Sequence, residues 1–214
     1  MQKSHQSLKQ KVFGLDNKVM RVSAKVFDLL ILNLSFVISC IPLVTIGPAI
    51  ITIYRMTTRI RKEATLNVGR EYWKEFKENW QQGLLLGILA CFITVAIYLN
   101  VQIFSSIQHP LALALEMLSY GIGFISLITV LYAFLISSQF TTDYLKLIKN
   151  AFLLSFLNFS KTVQVVTPII LIAILLMYSP MTMLVTLSIL LCIGFSLIAY
   201  FQTKIIQSVF DKYH

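Results

Sequence analysis

The sequence predicts an all-α integral membrane protein, a polytopic helical bundle that forms one domain over residues 1–214. Three observations predict it. The chain is 57% hydrophobic and only 13% charged, with a mean hydropathy of +0.78, whereas soluble domains carry roughly 25% charged residues. Eleven of the 27 charged residues fall between Arg55 and Glu78, and none lies between Thr162 and Thr203. Prolines divide the long apolar runs into pieces of about 20 residues, the length that spans a bilayer.

Four spans follow from the charge-poor runs. From Asn79 to Thr142 the only charged residue is Glu116. Because proline cannot continue a helix from the residues before it, we expect breaks at Pro110 and Pro180. The predicted spans cover residues 80–104, 111–138, 163–178 and 181–203.

The first apolar run, Phe27 to Tyr54, is too long for one span and too short for two. Pro42 and Pro48 interrupt it, and proline suits the first position of a new helix. We therefore predict a helix over 26–43, a tight turn, and a short second helix over 48–65. Two prolines and a glycine interrupt the backbone hydrogen bonds in this turn, and lipid has no donor for the carbonyls left free. We therefore expect side chains such as Thr45 or Asn33 to donate hydrogen bonds to them.

Basic residues predict the orientation, because short cytoplasmic loops are rich in lysine and arginine. Residues 1–26 are a basic cytoplasmic segment, 55–79 a cytoplasmic or interfacial segment, and 139–162 a cytoplasmic amphipathic segment. Both termini are then cytoplasmic, and the bundle has about six helices, the second one short. The alternative has five spans and places the basic amino terminus outside.

The sequence offers little chemistry. No histidine has metal-ligand or catalytic spacing, and no phosphate-binding loop is present, so we expect no enzyme activity, cofactor or metal. The basic charge is spread over short segments, which suits anionic lipid and not nucleic acid. Asp28 is expected to open the first helix, where a carboxylate favours the positive end of the helix dipole. Glu116 lies near the outer interface.

Residues 69–82 predict an interfacial helix that leads into the span at residue 80. Trp73, Phe76 and Trp80 share a helical face, and Gly83 and Gly87 continue it if the helix is continuous. Small residues at this spacing allow a second helix to approach closely. The stripe is a candidate partner interface, and packing inside the monomer is an equally good alternative.

A second segment loosely resembles the EAA loop of ABC importer permeases, which docks the ATPase. Ala151, Ser155, Val165 and Pro168 take positions of that pattern, whereas Lys149 stands where the pattern has its acid. The resemblance makes these four residues a candidate coupling loop, with a chance match as the alternative.

The stretch from Phe27 to Tyr54 resembles the YesL-like family of bacterial membrane proteins. The residues that carry the resemblance are Asp28, Asn33, Pro42, Thr45, Gly47, Pro48, Ala49 and Tyr54. Further on, Phe76, Lys77, Asn79 and Trp80 match the family's aromatic and lysine-asparagine stretch. The resemblance implies a multi-pass protein of the bacterial cytoplasmic membrane that accompanies carbohydrate ABC importers.

Two functions follow as expectations. The first is a non-catalytic accessory subunit that binds the importer's permease subunits. The second is a transporter or permease component that itself lines a solute pathway, with Asn33, Asn100 and Glu116 as polar lining.

Overall fold

The computed structural model describes residues 2–63, 66–107, 109–140 and 143–213, and these residues are almost entirely helical. The helices are α1 (Gln2–Ser39), α2 (Ile46–Lys62), α3 (Val68–Glu78), α4 (Trp80–Ser105), α5 (Pro110–Ser137), α6 (Tyr144–Leu157), α7 (Phe159–Tyr178), α8 (Pro180–Ile189) and α9 (Phe195–Tyr213). A 3-10 turn, Leu43–Thr45, precedes α2, and a π-helical turn, Leu190–Gly194, joins α8 to α9.

Within the described residues, five segments are long and apolar enough to cross a membrane: Val22–Ser39, Trp80–Ser105, Pro110–Ser137, Phe159–Tyr178 and Pro180–Asp211. The protein is therefore an all-helical, multi-pass membrane protein. The last four segments begin and end close to the predicted spans, because proline and the loss of apolar character set their limits. The helix α2 has 17 residues and is not among the five.

The first helix is longer than the sequence predicts. It begins at Gln2, not near residue 26, because the basic amino-terminal segment continues the helix without a break. Asp28 consequently lies in the middle of α1, where it is half-buried. The expectation that Asp28 opens the first helix and interacts with the positive end of its dipole is wrong.

Two antiparallel hairpins form most of the bundle. The helix α4 packs along α5, and α7 packs along α8 and α9. The two hairpins are joined through α2, which contacts α4, α5 and α9 as well as α1 and α3. Eleven of the 17 residues of α2 are buried, so this short helix is the centre of the packed core.

Candidate functional site

At the centre of the site, the backbone at the start of α2 lies very close to the backbone at the start of α4. A Cβ atom added at Gly47 would lie 2.0 Å from the Gly83 carbonyl oxygen, and one added at Gly83 would lie 2.4 Å from the Pro48 Cα. A Cβ atom on Gly87 would lie 3.2 Å from the Gly47 Cα. Only glycine fits at Gly47 and Gly83, since any side chain would overlap backbone atoms of the other helix.

This contact corrects the interface prediction for the two glycines of α4. Gly83 is buried against Gly47 and Pro48 of the same chain, so the internal-packing alternative describes it. The helix is also interrupted at Asn79, which separates α3 from α4. The break therefore falls within the predicted stripe: Trp73 and Phe76 belong to α3, whereas Trp80 begins the helix that carries Gly83 and Gly87.

The aromatic residues of α3 form a cluster of rings at the same end of α4. Phe76 is buried and packs edge-on against Trp73 and Trp80, with ring centroids 5.7 Å and 5.6 Å away. Trp73 and Trp80 are 42% and 39% exposed, an arrangement typical of indoles at the headgroup level. The structure thus divides the predicted aromatic face into one core residue and two surface residues.

The turn between α1 and α2 is closed by hydroxyl groups. The Thr45 hydroxyl lies within hydrogen-bonding distance of the Ser39 carbonyl and of the Pro42 carbonyl, so Thr45 has the role that the sequence predicts for it. The Ser39 hydroxyl donates to the Phe36 carbonyl and contacts the Tyr72 hydroxyl at 2.5 Å. Because the Ser39 hydroxyl donates to Phe36, the Tyr72 hydroxyl is the donor between the two, and burial raises the pKa of Tyr72.

Asn33 binds a different set of backbone groups. Its side-chain amide donates to the carbonyls of Leu190 and Leu191 at 3.1 Å and 2.7 Å, and its Oδ1 accepts from the Ser196 backbone N–H at 3.0 Å. Leu190 and Leu191 belong to the π-helical turn and Ser196 follows it in α9, at a point where the regular α-helical hydrogen bonds are interrupted. Asn33 is fully buried, and it supplies the partners that this turn needs.

A second buried amide ties α2 to the last hairpin. The Tyr54 hydroxyl donates to Gln202 Oε1 at 2.8 Å, and Gln202 Nε2 donates to the Val165 carbonyl at 2.9 Å. Gln202 is not among the residues predicted for a site, although a lone amide near the end of a charge-free run is the signal that could have identified it.

Charged residues join α2 to α3 and to the end of α5. Arg55 pairs with Glu75 at 2.9 Å and donates to the Ser138 carbonyl at 3.0 Å. Arg59 contacts Glu63 at 2.9 Å, Glu71 at 3.0 Å and Glu75 at 3.2 Å. The hydrogen bond to Glu63 raises the pKa of Arg59, and the hydrogen bond from Arg59 lowers the pKa of Glu71.

The other family-motif positions surround this centre. Pro48 and Ala49 are buried in the first turn of α2. Pro42 is exposed, has an extended backbone and precedes the 3-10 turn. The structure thus brings Asn33, Thr45, Gly47, Pro48, Ala49 and Tyr54 into one packed centre and leaves Pro42 at its surface.

The four candidate coupling-loop residues do not form an exposed loop. Ala151 and Val165 have no exposed surface, and Ser155 is 4% exposed. The Ser155 carbonyl accepts from Thr162, whose hydroxyl also contacts Tyr132. Pro168 lies inside α7. Three of the four side chains therefore pack within the chain, and docking of an ATPase at this segment stays a prediction.

The three residues proposed to line a solute pathway lie in separate environments. Asn33 is bound to the π-helical turn, whereas the exposed Asn100 donates to the Ala96 carbonyl of its own helix at 2.8 Å. Glu116 accepts from Tyr120 one turn further along the same helix. A shallow cavity of about 320 Å³ at the α4–α5 turn is lined by His109, Pro110 and Glu116 among others, and Asn33 and Asn100 are not part of it.

The buried polar side chains of this site form hydrogen bonds with backbone groups and close helix ends. The parts of the chain that the structure describes bring together no metal-binding group of His, Cys, Asp or Glu. The class of protein is thus a polytopic helical membrane protein with a buried polar centre built on its amino-terminal helices.

Residues 29–101 match the family model described as "Protein of unknown function, DUF624". YesL-like proteins carry this domain, so the match agrees with the resemblance in the sequence at that coarse level. It covers the carboxy-terminal part of α1 from residue 29, all of α2 and α3 and most of α4, including the Gly47–Gly83 contact and Asn33. No curated protein and no solved structure matches the chain.

Proposed function

We propose that this protein is a non-catalytic accessory subunit of the bacterial cytoplasmic membrane that binds the permease subunits of a carbohydrate ABC importer, with both termini in the cytoplasm. The association with an importer is what the family resemblance implies. Basic residues at both ends of the chain and in α3 support the orientation, by the positive-inside rule.

One structural observation carries the proposal: α4 leaves a broad apolar face uncovered. The helix α4 packs on α5 and α2 and buries only Gly83 and Leu86 of its 26 residues. Large apolar side chains on the remaining face are uncovered, with Ile88, Phe92 and Leu99 exposed by 59%, 70% and 53%. We assign this face to the permease subunits, whose helices would pack on it through close van der Waals contact.

The polar groups favour a binding protein over a transporter. Asn33 and Tyr54 form hydrogen bonds with the α8–α9 segment, and Gln202 also bonds to α7. Asn100 and Glu116 bond within their own helices. A solute pathway needs polar groups that converge on a common cavity, and these residues do not share one.

Affinity purification in a mild detergent tests the proposal. A carboxy-terminally tagged chain should recover a pair of permease subunits, identified by mass spectrometry. Phe92→Ala together with Leu99→Ala should lower the recovery several-fold while the chain itself elutes normally. Phe27→Ala is the matched control, since it removes an equally exposed aromatic ring from α1.

Reconstitution separates the two functional classes. The purified chain alone in proteoliposomes should take up none of a panel of radiolabelled sugars. Uptake by the chain alone, with no permease recovered, would overturn the accessory role and establish a transporter.

A further inference from the structure

The turn between α1 and α2 lies beside the start of α4. Gly47 and Pro48 contact Gly83 and Gly87, which are in the first two turns of a helix that begins at Trp80 and ends at Ser105. At 1.5 Å per residue, Gly83 and Gly87 are roughly 27–33 Å from the far end of α4. If α2 crossed the membrane antiparallel to α4, its first turn would lie near that far end.

From this contact α2 runs away from the body of α4. Arg55, two turns further along α2, pairs with Glu75 of α3 and donates to the Ser138 carbonyl just after α5 ends. Arg59, one turn beyond, pairs with Glu71 of α3. The helix α3 lies just before α4 in the chain and residue 138 lies just after α5, so both mark the same end of the α4–α5 hairpin. The first turn of α2 and the later residues Arg55 and Arg59 therefore all lie at that one end.

The turn itself exposes apolar side chains. Ile41, Leu43 and Val44 are 76%, 81% and 65% exposed. An apolar stripe on α1 leads to them, since Phe27, Leu30, Leu34 and Ile38 are all exposed at helical spacing. These side chains are uncovered although the opposite face of α1, with Leu32 and Asn33, is buried in the core.

The surroundings identify lipid as the occupant of this apolar surface. Trp80 lies within two helical turns of Gly83 and Gly87, and Trp73 joins it through the ring of Phe76. The half-exposed indoles of both tryptophans suit the headgroup level. Exposed basic residues stand at the same end: Lys62, Arg70, Lys74 and Lys77. Apolar side chains beneath a ring of tryptophan and basic residues match the inner part of an anionic leaflet.

We infer that α1 and α2 form a re-entrant hairpin that enters and leaves the membrane on one side, and that its exposed turn and the α1 stripe contact lipid acyl chains. The irregular backbone of the turn is tolerated there because Thr45 and the close contact with α4 satisfy and cover it. The crossings are then α4, α5, α7 and the continuous α8–α9. Residues 1–26 and 55–79 lie on one side without a crossing by α2.

A distance measurement tests the hairpin independently of the orientation and of the proposed function. In a chain with Cys40, Cys91 and Cys192 replaced by alanine, spin labels are placed at Leu43→Cys and Ser106→Cys in nanodiscs of anionic lipid. The re-entrant hairpin predicts a separation of about 30 Å, given the rise along α4. A crossing hairpin would bring both labels to the same face, and a separation below about 20 Å would overturn the inference.

Surface labelling of intact cells with an impermeant maleimide provides the second test. Ser106→Cys, just after α4, and Met181→Cys, at the start of α8, lie on the side opposite the α1–α2 turn and should be labelled. Leu43→Cys, in the α1–α2 turn, should be protected. Labelling of Leu43→Cys as fast as Ser106→Cys would contradict the hairpin.

Fluorescence quenching identifies the occupant. A Leu43→Trp chain with Trp73→Phe and Trp80→Phe should lose most of its emission in lipids with brominated acyl chains. Emission unaffected by bromine, together with a short distance between Leu43 labels on two copies, would show that a second copy covers the turn and would overturn lipid contact.

Discussion

The amino-terminal unit (α1 to α3) and the crossing hairpins of the same chain are built on different principles. The helix α2 buries eleven of its 17 residues, whereas α4 buries two of 26. The first is held by glycine contacts, buried amides and ion pairs, whereas α4 is held chiefly by its contacts with α5 and α2. The family match of residues 29–101 covers most of the first region and one helix of the second.

This difference shows where the fold is specified. A crossing helix needs mainly length and hydropathy, and many sequences supply both. The amino-terminal unit requires particular residues at particular positions, because backbone groups meet there at distances that one extra carbon atom would prevent. Substitutions of the same chemical kind should therefore have very different effects in the two regions.

The largest effect is expected from one methyl group at a glycine. Gly83→Ala should abolish most folded protein, because the new Cβ would lie 2.4 Å from the Pro48 backbone and overpacking against rigid backbone costs about 3 kcal/mol or more. Gly121→Ala is the control, since nothing lies within 4 Å of its added Cβ. That change should be neutral or stabilise the helix by about 0.5–1 kcal/mol.

The measurement is the yield of monodisperse protein in size-exclusion chromatography, followed by thermal unfolding. Equal yields of the two alanine variants would mean that α2 and α4 do not meet at these glycines.

The next effect is expected at the buried amide. Asn33→Ala should lower the free energy of unfolding by about 2–4 kcal/mol, because it leaves two carbonyls and one N–H of the π-helical turn without their partner. Asn100→Ala should change it by less than about 0.5 kcal/mol, since Asn100 is exposed and bonds only to its own helix. Denaturation of the two variants in the same detergent measures the difference. Comparable losses would place the two asparagines in equivalent roles.

The smallest effect concerns the ion pairs. A double-mutant cycle on Arg55 and Glu75, whose side chains are 22% and 13% exposed, should give a coupling energy of about 1 kcal/mol. The pair Asp143–Lys146 is 77% and 73% exposed, and its cycle should give about 0.3 kcal/mol or less. Both cycles use thermal unfolding at low ionic strength. A larger coupling for the exposed pair would contradict the view that α3 is held to α2 by partly buried charge.

The sequence predicts the crossing helices well because their signals are local. The expected span over 80–104 is α4 at Trp80–Ser105, and the expected span over 111–138 is α5 at Pro110–Ser137. Charge-free length and a following proline decide these limits, and neither depends on the rest of the fold. The closure of the α1–α2 turn by Thr45 was also predictable, since the free carbonyls and the hydroxyl lie within a few residues of one another.

Contacts between distant residues were not predictable in the same way. Nothing in the local sequence says that Gly47 meets Gly83, that Asn33 meets Ser196, or that Tyr54 meets Gln202. Each of these pairs is set by how the helices assemble. The aromatic stripe shows the same limit, because the break at Asn79 changes which residues share a face.

The contact between Asn33 and the π-helical turn also bears on the order in which the chain is made. Asn33 leaves the ribosome in the first helix, whereas Leu190, Leu191 and Ser196 follow 157 to 163 residues later. The Asn33 amide therefore lacks these partners until most of the second hairpin has been made, and a chain that stops before Leu190 has none of them. The first helix and the α8–α9 segment thus depend on one another for a stable fold.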